Sequence, residues 1–449
     1  MLNFGRFVFV VLFVGLLLVV PNSVCAKSDP LTLKWSKTYD DYGASSVIQS
    51  HDGGFVIAGS NITRYTNRFT TYSHTPLLME VNGAGRVKWK KMYSETVGSV
   101  SQLTQTPDSG YLAAIATYTG DFESGFLLKT DSQGRFESSR TLDNLNCTSG
   151  FTLTEEGKWV RVGYIYACSV AEDGSYVIGG HLLDAQALVV KYGAEGNLLW
   201  QKVFDGGNDY VYVRTILQSS SGDGYFVAGS WGKSGWFAKL DLEGEVVWSH
   251  MYVYRDKYGI ALDFDVIVPT LDGGFVLGGY DYEFGWVVRV DGDGNELWHK
   301  QCGGEDGLEV LMNAYYVSGV VELGSGQFLV FNLLGIRCLD AFGEELWFEP
   351  YSMYLKCLED IPPTAFVHLH VTGVIGDDGH LVVAISYLNA EVAVRGHSGY
   401  SLWVAGFVLE SVSMFDSFVL LFVGVVVVAV VVVVFIGCLV YLKRGVFRR

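Results

Sequence analysis

One short phrase, an acidic residue followed by glycine and then an aromatic or apolar residue, returns along this chain about every 50 residues. It limits the fold more than any other feature. It reads SHDGGF at 50–55, TPDSGY at 106–111, AEDGSY at 171–176, SGDGYF at 221–226 and TLDGGF at 270–275, with fainter echoes in GSGQF at 324–328 and DDGHL at 377–381. An apolar strand follows each, such as FVIAG (55–59) or FVLGG (275–279), and then an alternating strand such as WFAKLD (236–241) or WVVRVD (286–291). A tight turn with glycine comes next and opens onto a strand bearing tryptophan, as in NGAGRVKW (82–89), GAEGNLLW (193–200), DLEGEVVW (241–248), DGDGNELW (291–298) and DAFGEELW (340–347). In DSQGRFES (131–138) the turn is kept, but Ser138 stands where tryptophan is expected. Period-two patterning punctuated by Gly and Asp predicts four short strands per unit. Repeated radially, they make an all-β, seven-bladed β-propeller over residues 31–409. A pair of β-sandwiches or a solenoid is the alternative.

The phase of the repeat predicts how the ring closes. The chain enters on a tryptophan strand, LTLKWSKTY (31–39), and leaves on LWVAGFVL (402–409), which matches the third strand of the other units. Pairing the two completes blade seven from both ends and leaves no gap with an exposed edge. If the strands of a unit are called A (inner) to D (outer), the A–B and C–D turns share one rim and are short and uniform. The B–C and D–A connections share the other rim and hold the long segments 61–76, 143–163, 301–313, 350–364 and 389–399. Scaffold proteins place their functional loops on one such face.

Two apolar runs lie outside the repeats. Residues 7–20 follow Arg6 and precede PNSVCA (21–26), the layout of a signal peptide over 1–26 with Val24 and Ala26 at the cleavage positions; an uncleaved anchor is the other reading. Residues 417–442 carry no charge and are long enough to cross a bilayer as a helix. Lys443, Arg444, Arg448 and Arg449 in the tail 443–449 mark the cytoplasmic end. The expectation is a single-pass membrane protein with its propeller outside, joined through the linker 410–416 and seated with the tight-turn rim toward the bilayer. All 48 acidic residues lie between the two runs, whereas five of the 31 bases do not, so this part is more acidic than the net −17 of the whole chain. Such a surface excludes nucleic acid as a partner. Export permits disulfides and glycosylation. Asn61 and Asn146 head N-glycosylation sequons. Cys147 with Cys168, and Cys302 with Cys357, are the expected disulfides, with Cys338 free.

The units WSKTY (35–39), SVIQS (46–50) and DGGFVIAG (52–59) resemble the repeats of uncharacterised archaeal and bacterial cell-surface propellers related to the quinoprotein-like (PQQ-like) superfamily. The resemblance covers roughly 31–409 and implies a fold and a surface address, not an activity, because these are repeat-building residues. Members of that superfamily that bind a quinone often carry adjacent cysteines, and no two cysteines are adjacent here.

Chemistry-bearing patterns are sparse. The Asp-Gly-Gly turns share part of the sialidase Asp-box but lack its Thr-Trp, and read as side-chain-capped hairpin turns. Asp291 and Asp293 have the carboxylate spacing of a calcium loop, although they stand in register with plain turns. His368 and His370 point to one face of a strand, which suits a metal if a third ligand converges and is otherwise structural. No Gly-x-Ser-x-Gly, phosphate loop or catalytic cysteine context is present, and no cofactor is called for. The remaining signal is aromatic and planar-donor residues in the long loops: Arg64, Tyr65, Arg68, Tyr72 and His74, with Tyr254, Tyr258 and Tyr282. Such surfaces suit glycan or protein recognition. The expected function is a surface binding or structural module whose partner is a cell-surface glycan or envelope protein. The alternative is a membrane-anchored ectoenzyme, a hydrolase or cofactor-dependent dehydrogenase, with its site at the channel mouth. A scaffold for assembling exported proteins is a third reading.

Overall fold

The computed structural model describes residues 31–409 except 67–69, 96, 120–121, 142–150, 154–158, 183–185, 255–261, 282–283, 304–315, 325, 333, 352–369, 377–378 and 389–399. The expected signal peptide and the segments 410–416, 417–442 and 443–449 lie outside the described residues. Among those described, no helix is long and apolar enough to cross a membrane. Residues Leu33–Val408 form one compact unit.

Among the described residues the chain makes seven antiparallel sheets, six of them running through their strands in sequence order. The inner strands are Tyr42–Gln49, Ser99–Gln105, Trp159–Val170, Val211–Gln218, Asp263–Pro269, Gly319–Glu322 and His370–Ile375. Each packs on the next and the seventh returns to the first, so the ring is closed. Blade seven takes its outer strand from the opposite end of the chain, Leu31–Asp40 pairing with Tyr400–Leu409. Seven blades, closed as the repeat phase predicts, exclude the sandwich and solenoid alternatives.

The core lies between blades. Val56, Ala58 and Leu78 of blade one pack with Leu103, Ala113 and Ile115 of blade two. Equivalent clusters join blades four to five and seven to one. A middle strand therefore has a neighbour on both faces, which is why Phe55-Val-Ile-Ala58 is apolar without alternation and fully buried. Outer strands alternate instead, as Val246–Tyr252 does.

Tryptophan and turn glycine are two halves of one contact. The indole of Trp200 in blade three donates to the carbonyl of Leu242 in the C–D turn of blade four (2.7 Å), and Trp298 donates to Ala341 in the turn of blade six (2.9 Å). Gly244 and Gly343 of those turns have φ of 83° and 84°. A Cβ on either would stand 2.9 and 2.8 Å from the indole lying over it. Glycine serves here both for the left-handed backbone and for the close approach. The Asp-Gly-Gly turns are capped hairpins. Asp108 accepts from Thr106 Oγ1 and from the Gly110 amide, and Lys129 of the adjacent C strand ion-pairs with it (2.6 Å). Asp223 and Lys239 repeat the arrangement (2.7 Å), and the Lys239 hydrogen bond holds the Asp223 carboxyl well below the usual carboxylate range.

The expected B–C insertion at 61–76 is an extension of the blade. Phe55–Thr66 and Thr70–Val81 stay paired as far as Thr66 opposite Thr70, making a long hairpin on the loop-bearing rim. In blade three, Phe151–Leu153 pairs with the first residues of Trp159–Val170 to form another.

Candidate functional site at the channel mouth

The inner strands carry a feature with no counterpart in the loops. In each of blades one to five the A strand is bulged at a matching position, with Ser45, Ser101, Tyr166, Arg214 and Asp265 as the extra residues, and blade three has a second shift between Val162 and Ile165. In four of these blades a B-strand glycine faces the bulge: Gly180 in blade three, and in the other three Gly59, Gly229 and Gly279. Any Cβ on those last three would run into the carbonyl of Gly43, Tyr212 or Asp263. A bulge re-aims the side chain of its extra residue. These side chains reach the neighbouring blade. Ser45 donates to the Val100 carbonyl and Ser101 to that of Ile165 (3.1 Å).

In blades three to six the same ring becomes charged and aromatic. Arg214 Nε donates to Asp263 Oδ2 of the next blade at 2.8 Å and lies 3.9 Å from Asp265 Oδ1. Its guanidinium also covers the ring of Tyr166 in the preceding blade, 4.3 Å from the centroid, and stands 5.1 Å from that of Tyr212. A side chain that touches the inner strands of both neighbouring blades faces the channel they enclose. Tyr280 ends the B strand of blade five, Tyr316 leads into the A strand of blade six, and their rings meet edge-on at 4.7 Å. Tyr316 hydrogen-bonds to Asp265. His181, at the end of a B strand, stacks on Tyr166 at 5.6 Å and meets Tyr212 at 4.9 Å. Tyr212, Asp263 and Asp265 lie where A strands begin and His181 and Tyr280 where B strands end, toward the loop-bearing mouth of the channel, and Tyr166 and Arg214 join them from mid-strand.

The electrostatics are those of a site short of water. Residue exposure is 7% at Asp263, and side-chain exposure is 19% at Asp265 and 21% at Arg214. Oδ1 of Asp263 and Oδ2 of Asp265 are buried with no hydrogen-bond partner. Burial and the Asp263 charge push the Asp265 carboxyl up to about 7, against the pull of Arg214 and the Tyr316 hydrogen bond. Burial alone would lower Arg214, but the two aspartates outweigh it and keep the guanidinium charged. Burial, with Arg214 nearby, lowers His181 to about 4. Burial raises Tyr280 and Tyr316, reinforced by the Asp265 charge.

The residues singled out from the sequence fall elsewhere. Arg64 and Tyr72 are cross-strand partners on the blade-one hairpin, as are Ile62 and His74, and Tyr65 pairs with Thr71 one step nearer the tip. The His74 ring meets Ser60 Oγ at 3.1 Å. Arg68, Tyr258, Tyr282, His368, Asn146, Cys147 and Cys357 lie outside the described residues. Tyr254 belongs to blade four and packs on blade five, stacked on Trp286 at 4.8 Å and donating to Glu296 Oε2 at 2.7 Å. It is therefore engaged in the wall of the ring, with two blades between it and the hairpin on the shorter way round. Asn61 lies in the hairpin strand, its amide donating to the Asp41 carbonyl (3.0 Å). His370 opens the A strand of blade seven. Asp291 Oδ1 accepts from the amides of Asp293 (3.0 Å) and Asn295 (2.8 Å), and the Asn295 side chain caps Oδ2 (3.0 Å). Asp131, Asp241 and Asp340 make the same two amide bonds in their own turns, so the calcium-like spacing coincides with a turn cap. Among the described residues no group of three or more His, Cys, Asp or Glu side chains is placed to hold a metal. Cys168, Cys302 and Cys338 are buried free thiols. Cys168 faces the carbonyls of Gln102 and Leu112 across the blade interface, and Cys302 packs in the apolar cluster between blades five and six.

Sequence reasoning missed Arg214, Asp263 and Asp265, which sit in VYVRTILQ and DFDVIVP and read as ordinary alternating strands. The available signal was the B-strand glycine, which marks a bulge opposite and with it the residue turned inward.

No family model matches the sequence, and no curated protein does. Among solved structures the chain is similar to the WD40 domain of Neurospora crassa Pan2, with TM-score 0.47 and 10% identity over 84% of this chain and 95% of that one. It is also similar to the CNH domain of AfRom2 (0.44, 10%, 84% and 98%) and the WD40 domain of Toxoplasma gondii coronin (0.45, 12%, 85% and 88%). The likeness is one of fold, and nothing about the activity of this chain is taken from it.

Proposed function

We propose that this chain is a cell-surface binding module that receives its partner on the loop-bearing rim. The observation that carries this reading is the asymmetry of the two rims. One is built of capped, near-identical tight turns. The other holds the extended hairpin of blade one, the added hairpin of blade three and the Arg214–Asp263–Asp265 cluster at the channel mouth. Its partner is a cell-surface glycan or an envelope protein. Export by residues 1–26, anchoring by 417–442 with the basic tail inside, and glycosylation at Asn61 and Asn146 complete the reading, as does kinship with quinoprotein-like surface propellers of archaea and bacteria. The test is saturable binding of the purified full chain to envelope fractions of its own cells, beside a form in which the hairpin 61–76 is cut to a two-residue turn. Binding lost with the hairpin supports the reading; equal binding by both forms removes that hairpin from it.

A membrane-anchored ectoenzyme is the second reading, favoured by one observation. Asp265 is a buried carboxyl whose pKa is pushed up to about 7 beside a fixed guanidinium, the kind of group that general acid–base chemistry employs.

A further inference from the structure

The channel-mouth cluster has a charge deficit that specifies a ligand. Two carboxylates face one guanidinium, and Arg214 spends its Nε on Asp263 Oδ2. Each carboxylate keeps one buried oxygen without a partner, Asp263 Oδ1 and Asp265 Oδ2, and Asp263 is more than nine-tenths buried. Leaving such oxygens unbonded is costly, so the site favours whatever brings them positive charge and hydrogen-bond donors. The surrounding surface adds to this preference. Tyr280 and Tyr316 make an aromatic wall beside Asp265. Aromatic walls with a carboxylate suit an organic ammonium group better than a hard metal ion, which requires more oxygen ligands than two carboxylates supply.

We propose that Asp263 and Asp265, walled by Tyr280 and Tyr316, form a binding site for an organic ammonium group: a small free amine or the side chain of a lysine on a partner protein. This deepens the binding reading above, because it gives the loop-bearing rim a chemical specificity. It also implies competition with a proton. Over pH 5–8 Arg214 stays charged, His181 stays neutral, and Tyr212, Tyr280 and Tyr316 stay neutral because burial raises them. Asp265 changes charge in that interval, so an ammonium ion gains affinity as its proton leaves.

The test is calorimetric titration of the purified full chain with methylammonium and, separately, with Nα-acetyl-lysine amide, at pH 8 and pH 5, with sodium and calcium chloride as comparison ions. Expected is one-to-one binding at pH 8 that weakens at least about tenfold at pH 5, as one proton competing with one ligand requires. Asp265→Asn, which keeps the side-chain shape, should abolish the pH dependence and weaken binding at least about tenfold, with its melting curve confirming a folded ring. Tighter binding of the lysine amide identifies a protein lysine as the source, and tighter binding of methylammonium a free amine. The proposal is overturned by no saturable heat at pH 8, by preference for calcium or sodium, or by full affinity in a folded Asp265→Asn protein. If these arms fail while the hairpin-dependent envelope binding persists, the ammonium site falls and the binding module stands. If ammonium binds but envelope does not, the module reading falls.

Discussion

Arg214 shows what a single residue does in this ring. It joins the A strands of blades three, four and five through a cation–π contact and an ion pair, in surroundings where neither partner is solvated well enough to stand alone. Removing the cation leaves two buried carboxylates facing each other. Arg214→Met is therefore expected to cost about 3–5 kcal/mol, read as a shift of the urea midpoint. The triple change with Asp263→Asn and Asp265→Asn should recover most of that loss, since no charge is then left unpaired; a triple variant as unstable as the single one would show that Arg214 acts by packing alone. Asp265 supplies a separate expectation. Its carboxyl titrates higher in the folded chain than in the unfolded one, so its contribution to stability is fully present below about pH 4 and is lost as pH rises toward about 7. Urea midpoints of wild type and Asp265→Asn should diverge over that interval, and parallel curves would contradict the assignment.

At the scale of elements, the repeated unit is a latch as much as a sheet. The outer-strand indole of one blade lies over the turn glycine of the next, so the short Gly-containing turn and the tryptophan belong to one interaction seen twice in each repeat. Gly244→Ala should cost about 1–3 kcal/mol, because alanine is strained at positive φ and its methyl group meets the Trp200 ring. Trp200→Ala should relieve the second part of that penalty, which a double-mutant cycle between the two positions measures; additive effects would deny the contact. These latches were legible in the sequence because they recur with fixed spacing, from Trp35 to Trp298. The bulges were not legible as such. Their extra residues are Ser, Ser, Tyr, Arg and Asp, so the position repeats while the residue type does not, and a search by residue type passes over Arg214 and Asp265. The loop residues were legible by composition and not by position. Arg64, Tyr72 and Tyr254 have the composition of a binding surface, but a strand pairing places the first two on a hairpin and a Trp286 stack fixes the third. Cysteine spacing likewise suggested bridges without showing that Cys168 and Cys302 point into inter-blade cores.

At the scale of the molecule, seven apolar interfaces in a closed circle leave no blade stable alone, and the outer strand from residues 31–40 closes the circle. Its deletion exposes the edge of Tyr400–Leu409 and should replace a single cooperative thermal transition with a broad one and promote self-association, checked by calorimetry and light scattering. A sharp, unshifted transition would mean that closure contributes little. A closed, stiff ring fixes the relative positions of side chains drawn from four different blades, which is what the channel-mouth cluster requires of its scaffold. The central claim is that the loop-bearing rim, with that cluster at its centre, is the face that meets the partner. Hydrogen–deuterium exchange of the full chain, with and without envelope fractions of its own cells, tests this directly. Protection is predicted along the hairpin 61–76 and at 212–214, 263–265 and 280, with the turns at 241–245, 291–295 and 340–344 unchanged. Protection confined to those turns would place the partner on the opposite rim and contradict the account.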